Sequence, residues 1–274
     1  MHTCYAFTTD NKLTIFSINF LIMIEALILS IIQGLTEFLP VSSSSHLILA
    51  SKFLQFNQQN LSIDISLHIG SFIAVTFYFR HEVFNFIKNK ELLFKIIIAS
   101  IPVMLIGFFL VKLDLIEQIR NIKVIGWTTL IFGLLLFWSD KFSNLKQIKN
   151  NFSYKTAMLI GIFQILSLIP GVSRSGVTIS AARFLKFKRV DSAKISFLLS
   201  IPTLAAVSIF GLNNLLNSDD LNYSLLNLFS IFLSFVFSLI TIKYFLKYLK
   251  NFSLKIFVIY RVVLGFVILF LAYL

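Results

Sequence analysis

The stretch TAMLIGIFQILSLIPGVSRSGVTISAA, residues 156–182, decides how this chain is built. It is apolar enough to enter a membrane, yet both of its flanks are basic. Lys141, Lys146, Lys149 and Lys155 precede it, and Arg183, Lys186, Lys188, Arg189 and Lys194 follow it. Short loops rich in Lys and Arg stay on the cytoplasmic side of a membrane. A segment that leaves that side and arrives there again has to enter and turn back. Pro170 and Gly171, followed by the polar run Ser173, Arg174, Ser175 and Gly176, stand near the middle, where the turn is needed. Broken backbone at membrane depth is tolerated only where protein or a water-filled cavity covers it.

The rest of the chain agrees with a membrane setting. Its 274 residues are 57% hydrophobic and 13% charged, with a mean hydropathy of +0.88. A soluble domain carries about 25% charged residues, so an ordinary soluble enzyme and a disordered chain are both excluded. The net charge of +12 lies in short loops between apolar runs, where it reports orientation and contact with anionic head groups rather than nucleic acid. Cys4 is the only cysteine, which rules out an internal disulfide and a thiolate metal cluster.

Charge then sets the topology. Loops 80–95, 140–155, 183–194 and 243–255 are basic and read as cytoplasmic, whereas 112–123 and 213–224 read as external. Six spans follow at about 65–79, 96–111, 124–139, 195–212, 225–242 and 256–274. Residues 24–54, with Pro40 and Ser42 to Ser45 at the bend, form a second re-entrant hairpin, entering from the opposite side. Residues 13–32 resemble a signal-peptide core but lack a basic flank and a small-residue cleavage site. We read 1–22 as a leader or upstream extension, with the first structural helix from about Met23. Residues 23–274 are then one membrane domain.

An internal repeat supports the pairing of hairpins. At an offset of 131, Gln33 falls on Gln164, Ser42 on Ser173, Ser44 on Ser175, and ASKFLQF (50–56) on AARFLKF (181–187). At 130, Pro40 falls on Pro170, and Ile65 and Ser66 on Ile195 and Ser196. Each half, about 23–140 and 155–274, contributes one hairpin and three spans. Three is odd, so the second half lies upside down. The expected fold is therefore an all-α polytopic membrane protein: six transmembrane helices, two re-entrant helix hairpins and an inverted-topology internal repeat. Inverted repeats bring their broken helices together near the midplane to form a site.

Two polar constellations mark that site. The first is QGLTEFLPVSSSSH, residues 33–46. An ionisable residue inside an apolar hairpin is a functional candidate by default, which singles out Glu37, with Gln33 one turn before it. His46 stands four residues after Ser42 and three after Ser43, the spacing at which an imidazole could take a hydroxyl proton. The serines also read as a polar helix cap. The second constellation is PGVSRSGVT, residues 170–178. Here Arg174 lies among Ser173, Ser175, Gly176 and Thr178 at a helix start, a setting suited to phosphate: free N–H groups, close approach at glycine and a two-point guanidinium grip. A structural pairing of Arg174 with Glu37 is compatible with this. His68, four residues after Asp64, reads as a local polar pair, and Arg80, His81, Tyr260 and Arg261 read as anchors at the cytoplasmic boundary. There is no nucleotide-type Gly-rich loop and no two-histidine metal motif.

Both constellations, together with SFLLSIP (196–202) and the late pair Tyr260 and Arg261, resemble the signature of the undecaprenyl-diphosphatase family (the bacitracin-resistance protein). The resemblance runs from about Met23 to the C-terminus, and the two long motifs are highly specific. It implies a multi-pass enzyme of the bacterial inner membrane. Such an enzyme removes the terminal phosphate of the C55 lipid undecaprenyl diphosphate, giving undecaprenyl phosphate for reuse in cell-wall synthesis. Its site faces the periplasm or exterior, and a divalent cation, Mg2+ or Ca2+, is implied. Two departures matter. Gln33 stands where many members carry a second glutamate, leaving Glu37 and the Gln33 carbonyl as the metal ligands in prospect, and Ser45 stands where most have glycine.

The expected chemistry is phosphoryl transfer. Arg174 and the N–H groups around Ser173 to Thr178 hold the phosphates, Ser43 attacks with His46 as its base, and Glu37 orients His46 or ligands a cation. A metal-activated water is the alternative nucleophile. Gln33, Ser42, Ser173, Ser175, Gly176 and Thr178 complete the substrate-binding set. From another class, inverted repeats with broken helices also build transporters or flippases of an anionic lipid or small anion. The sequence leaves the oligomeric state open, a homodimer included.

Overall fold

The computed structural model describes residues 6–54, 61–85, 90–113, 115, 121–216 and 221–274. Regular structure among them is helical: α1 (Ala6–Thr36), α2 (Ser43–Leu54), α3 (Leu61–Tyr78), α4 (Arg80–Asn85), α5 (Lys90–Lys112), α6 (Ile122–Asp140), α7 (Ile148–Asn151), α8 (Tyr154–Ile165), α9 (Arg174–Phe184), α10 (Arg189–Leu216), α11 (Leu221–Asn251) and α12 (Lys255–Tyr273). Residues 1–5 of the leader, Gln55 and Phe56 of the repeat match, Lys88 of the first basic loop, and 114, 116–120 and 217–220 of the expected external loops lie outside the described residues.

Each of the six expected spans lies on a helix, namely α3, α5, α6, α10, α11 and α12. Among the described residues, five stretches are long and apolar enough to cross a membrane: Lys90–Lys112, Ile122–Asp140, Arg189–Ile209, Leu225–Asn251 and Lys255–Tyr273. Helix α3 is shorter. Phe108, Ile209, Phe232, Phe266 and Phe270 are exposed on these helices, which suits contact with hydrocarbon and not with water. Helix α1 begins at Ala6, upstream of the expected start near Met23, because no Pro or Gly interrupts the chain before Gly34.

Pairwise contacts fix the direction of each helix. Ser30 on α1 reaches the Ser230 carbonyl of α11 at 3.5 Å, and a Cβ on Gly34 would meet Phe237 one to two turns further along both helices. On α3, Ser71 meets Ser238 at 3.0 Å and Ser234 meets the Leu67 carbonyl at 2.6 Å. Helices α1 and α3 thus both run parallel to α11, and α2 carries the chain back between them. Likewise across the two halves, Gly161 packs on Ala99 and Leu168 approaches Gly107, so α8 runs parallel to α5. A Cβ at Gly161 would lie 2.2 Å from the Ala99 carbonyl oxygen, an approach that only glycine permits. Thr128 on α6 donates to the Pro170 carbonyl at 2.6 Å, whereas Arg183, at the end of α9, reaches the Asp140 carbonyl at the end of α6 at 3.1 Å. Residues 154–184 therefore leave from one end of α6, penetrate about 18 Å along it (12 residues at 1.5 Å each), and return to the same end.

That end is locked by Asp140. Its carboxylate accepts two hydrogen bonds from Arg189, at 2.7 and 3.1 Å, and one from the Leu254 amide at 3.1 Å. Buried Arg183 lies 3.4 Å from it and also bonds Asn144 and the carbonyls of Phe142 and Phe187. The starts of α10 and α12 are thereby tied to the end of α6. Deeper in, Phe38, just after the first helix break, packs edge-on against Phe197 of α10 at 5.2 Å, so the break is seated in the core.

Candidate active site

Two interruptions of helix face one another. In the first, α1 ends at Thr36, the Glu37 amide still bonds the Gln33 carbonyl at 2.9 Å, and Pro40 prevents the helix from continuing. In the second, α8 gives way to a short turn at Leu166–Leu168, followed by Pro170. Gly171 then adopts φ +90, and a Cβ there would collide with Thr128 at 2.1 Å. Both interruptions end on a serine in the left-handed region, Ser42 at φ 76 and Ser173 at φ 71. Non-glycine residues rarely stay there unless the surroundings hold them, and such strain gathers at functional sites. Ser173 also caps α9 by accepting from the Gly176 amide at 3.1 Å.

The side chains of the two breaks interlock. Arg174 donates from Nη2 to Glu37 Oε1 at 2.8 Å. Ser43 donates to Glu37 Oε2 at 2.6 Å, and Gln33 Nε2 donates to the same oxygen at 3.0 Å. Ser175 ties the loops together by donating to the Leu39 carbonyl at 2.7 Å. A fully buried guanidinium, Arg261 of α12, holds both turns: it donates to the carbonyls of Gly171 (2.9 Å), Val172 (3.0 Å), Pro40 (3.3 Å) and Thr129 (3.2 Å). Arg261 is therefore no boundary anchor. It stands in the interior because broken helices leave carbonyls that need donors and have no water to supply them.

The expected residues divide into those that face an opening and those that hold its walls. A cavity of about 240 Å³ is lined by Glu37, Ser42, Ser43, Ser44, Ser173 and Arg174, with apolar walls that include Val103, Leu168, Leu204 and Val207. Among the described residues, Arg174 Nη1 and Gln33 Oε1 of this neighbourhood are buried without a partner. Thr178 is turned away, donating to the Arg174 carbonyl at 2.8 Å with its hydroxyl 2.7 Å from that of Ser196, and Gly176 lies under Arg261. His46 is not hydrogen-bonded to Ser43. Its Nδ1 lies 2.7 Å from the Ser42 carbonyl and its Nε2 lies 2.6 Å from the Tyr260 hydroxyl, with the two rings stacked. The carboxylate of Glu37, not the imidazole, is what the Ser43 hydroxyl addresses.

His68, read from the sequence as half of a local pair, lines the same cavity. The signal that marks both it and Arg261 is the one used for Glu37, an ionisable side chain inside an apolar helix. As for a cation, no cluster of three His, Cys, Asp or Glu side chains occurs among the described residues. The donors at hand are oxygens, from Glu37, the unpartnered Gln33 Oε1 and Ser43, which fits a hard ion such as Mg2+ or Ca2+.

Fold and site together define a multi-pass membrane protein with an internal pocket lined by Glu37, Ser43 and Arg174. Residues 26–267 match the family model described as Bacitracin resistance protein BacA, and the chain belongs to that family. It is 49% identical over 253 residues to the undecaprenyl-diphosphatase of Pelagibacter ubique (strain HTCC1062), covering 92% of this chain and 98% of the relative. It is 38% identical over 259 residues to the undecaprenyl-diphosphatase of Jannaschia sp. (strain CCS1), covering 90% and 97%.

Proposed function

We infer that this protein is an undecaprenyl-diphosphatase, hydrolysing the terminal phosphate of a polyprenyl diphosphate within the membrane. The observation that carries its chemistry is Glu37, which holds Arg174 on one oxygen and the Ser43 hydroxyl on the other. The substrate's terminal phosphate takes the free Nη1 of Arg174 and draws the guanidinium from Glu37. Glu37 is left to accept the Ser43 proton as Oγ attacks phosphorus. The Oγ–P bond forms, the bond from phosphorus to the bridging oxygen breaks, and undecaprenyl phosphate leaves with that oxygen. Glu37 passes that proton to the departing oxygen. Water then attacks the phosphoserine and gives its proton to the freed carboxylate, which returns it to Ser43 Oγ as the Oγ–P bond breaks and inorganic phosphate leaves. Arg174 balances the charge of both transition states. Gln33, Glu37 and Ser43 are the residues to hold a divalent cation, which when bound neutralises phosphate charge.

The membrane arrangement proposed is six spans with two re-entrant hairpins in an inverted repeat. It is supported by the exchanged packing of α1 with α11 and α8 with α5, and by the two left-handed serines 131 residues apart. With the basic Asp140 end in the cytoplasm, Thr203 lies about 21 Å up α10 from Arg189, which supports a cavity opening toward the exterior of the inner membrane. Rapid acid quench of the purified protein with a C55 diphosphate tests the covalent route. Phosphoserine is expected in the wild type and not in Ser43→Ala. Solvent oxygen exchange into phosphate with no adduct would move the attack to water.

A further inference from the structure

His68 sits on α3, one turn before Ser71 and on the same face. Ser71 accepts from Gln33 Nε2 at 3.5 Å, so this face of α3 is turned toward the motif that carries Glu37. The helix is held there closely, since a Cβ on the intervening Gly70 would lie 2.4 Å from the Ile231 carbonyl oxygen. His68 lines the cavity together with Glu37, Ser43 and Arg174. Its Nδ1 is engaged with the Asp64 main-chain carbonyl at 2.7 Å. A carbonyl only accepts, so that nitrogen carries a proton and the ring orientation is set. Nε2 has no hydrogen-bond partner among the described residues, and the cavity it lines also holds Glu37, Ser43, Ser173 and Arg174 of the phosphate site, with the hydroxyls of Ser44, Ser167 and Thr203 beside them.

We propose that His68 is a substrate-contacting residue whose Nε2 shares one proton with an oxygen of the terminal phosphate. The ring donates to the oxyanion when protonated and accepts from P–OH when neutral, so one hydrogen bond results in either state. With Arg174 on one wall and His68 on another, the phosphate is gripped from two sides. This inference rests on the cavity being the diphosphate site.

The test uses purified full-length wild type, His68→Leu and His68→Gln, with phosphate release from a C55 diphosphate and inhibition by inorganic phosphate as readouts. His68→Leu should raise both KM and the inhibition constant for phosphate about tenfold, the effect of losing a hydrogen bond to a charged group, with kcat changed by less than about threefold. His68→Gln, which restores a polar group at similar reach, should recover most of the lost affinity. Unchanged KM and inhibition constant in His68→Leu, or a glutamine variant as impaired as the leucine one, overturns the assignment. A wild type that releases no phosphate overturns the enzymatic reading itself, and this inference with it.

Discussion

The two helix breaks share a backbone and differ in their chemistry. Each follows a buried glutamine, Gln33 or Gln164, and each ends on a serine held at positive φ. At the equivalent positions the side chains part company: Ser43 in the first break stands where the second has Arg174, and Glu37 where the second has Leu168. Repetition thus brings two helix starts face to face, and divergence makes one acidic and nucleophilic and the other cationic. A symmetric pair of either kind would place like charges together or none at all. The asymmetry is what turns a structural joint into a site for phosphoryl transfer.

The largest expected effect comes from removing the cation. Arg174→Ala should lower phosphate release by about 10³-fold, in line with loss of a transition-state charge partner, and turnover near the wild-type rate would separate the second break from catalysis. Next comes the clasp common to both. Arg261→Lys cannot span three carbonyls on two loops and a fourth on α6 and should cost about 3 kcal/mol of stability, read as a lower thermal midpoint in detergent. The two glutamines should then respond in opposite senses. Gln164, whose side-chain atoms have no partner among the described residues, should as Gln164→Glu lose about 3 kcal/mol for a buried unpaired acid. Gln33→Glu adds a second carboxylate beside Glu37 and should lower the Mg2+ concentration for half-maximal activity by about tenfold. The smallest difference tests the strained serines. Ser42→Gly and Ser173→Gly should each shift thermal stability by less than about 1 kcal/mol, because relief of positive φ is offset by loss of the Ser42 hydrogen bond to Ser45 at 2.9 Å in the first and of the cap on Gly176 in the second.

Much of this was legible from residue order. Pro40 and Pro170 mark the breaks, the basic flanks of 156–182 demand a returning path, and Glu37 and Arg174 stand out as charges in apolar surroundings. The partner of Ser43 was not legible. Spacing along α2 allows both His46 and no contact at all, and Glu37 lies outside that helix, where helical periodicity has no bearing. Arg261 and His68 were visible as ionisable residues in spans, but nothing local distinguishes an anchor near the bilayer edge from a group turned into the interior.

The sequence by itself determined a multi-pass helical bundle with two interruptions, because hydropathy, proline and loop charge act over a few residues at a time. Only the tertiary structure decided that Glu37 meets Arg174 and Ser43, that His46 goes to Tyr260, and that Arg261 gathers both turns. Those pairings join residues from 6 to 221 positions apart. Buried polar groups without water must find whichever partners packing brings within reach, and that is settled only when the helices have been placed.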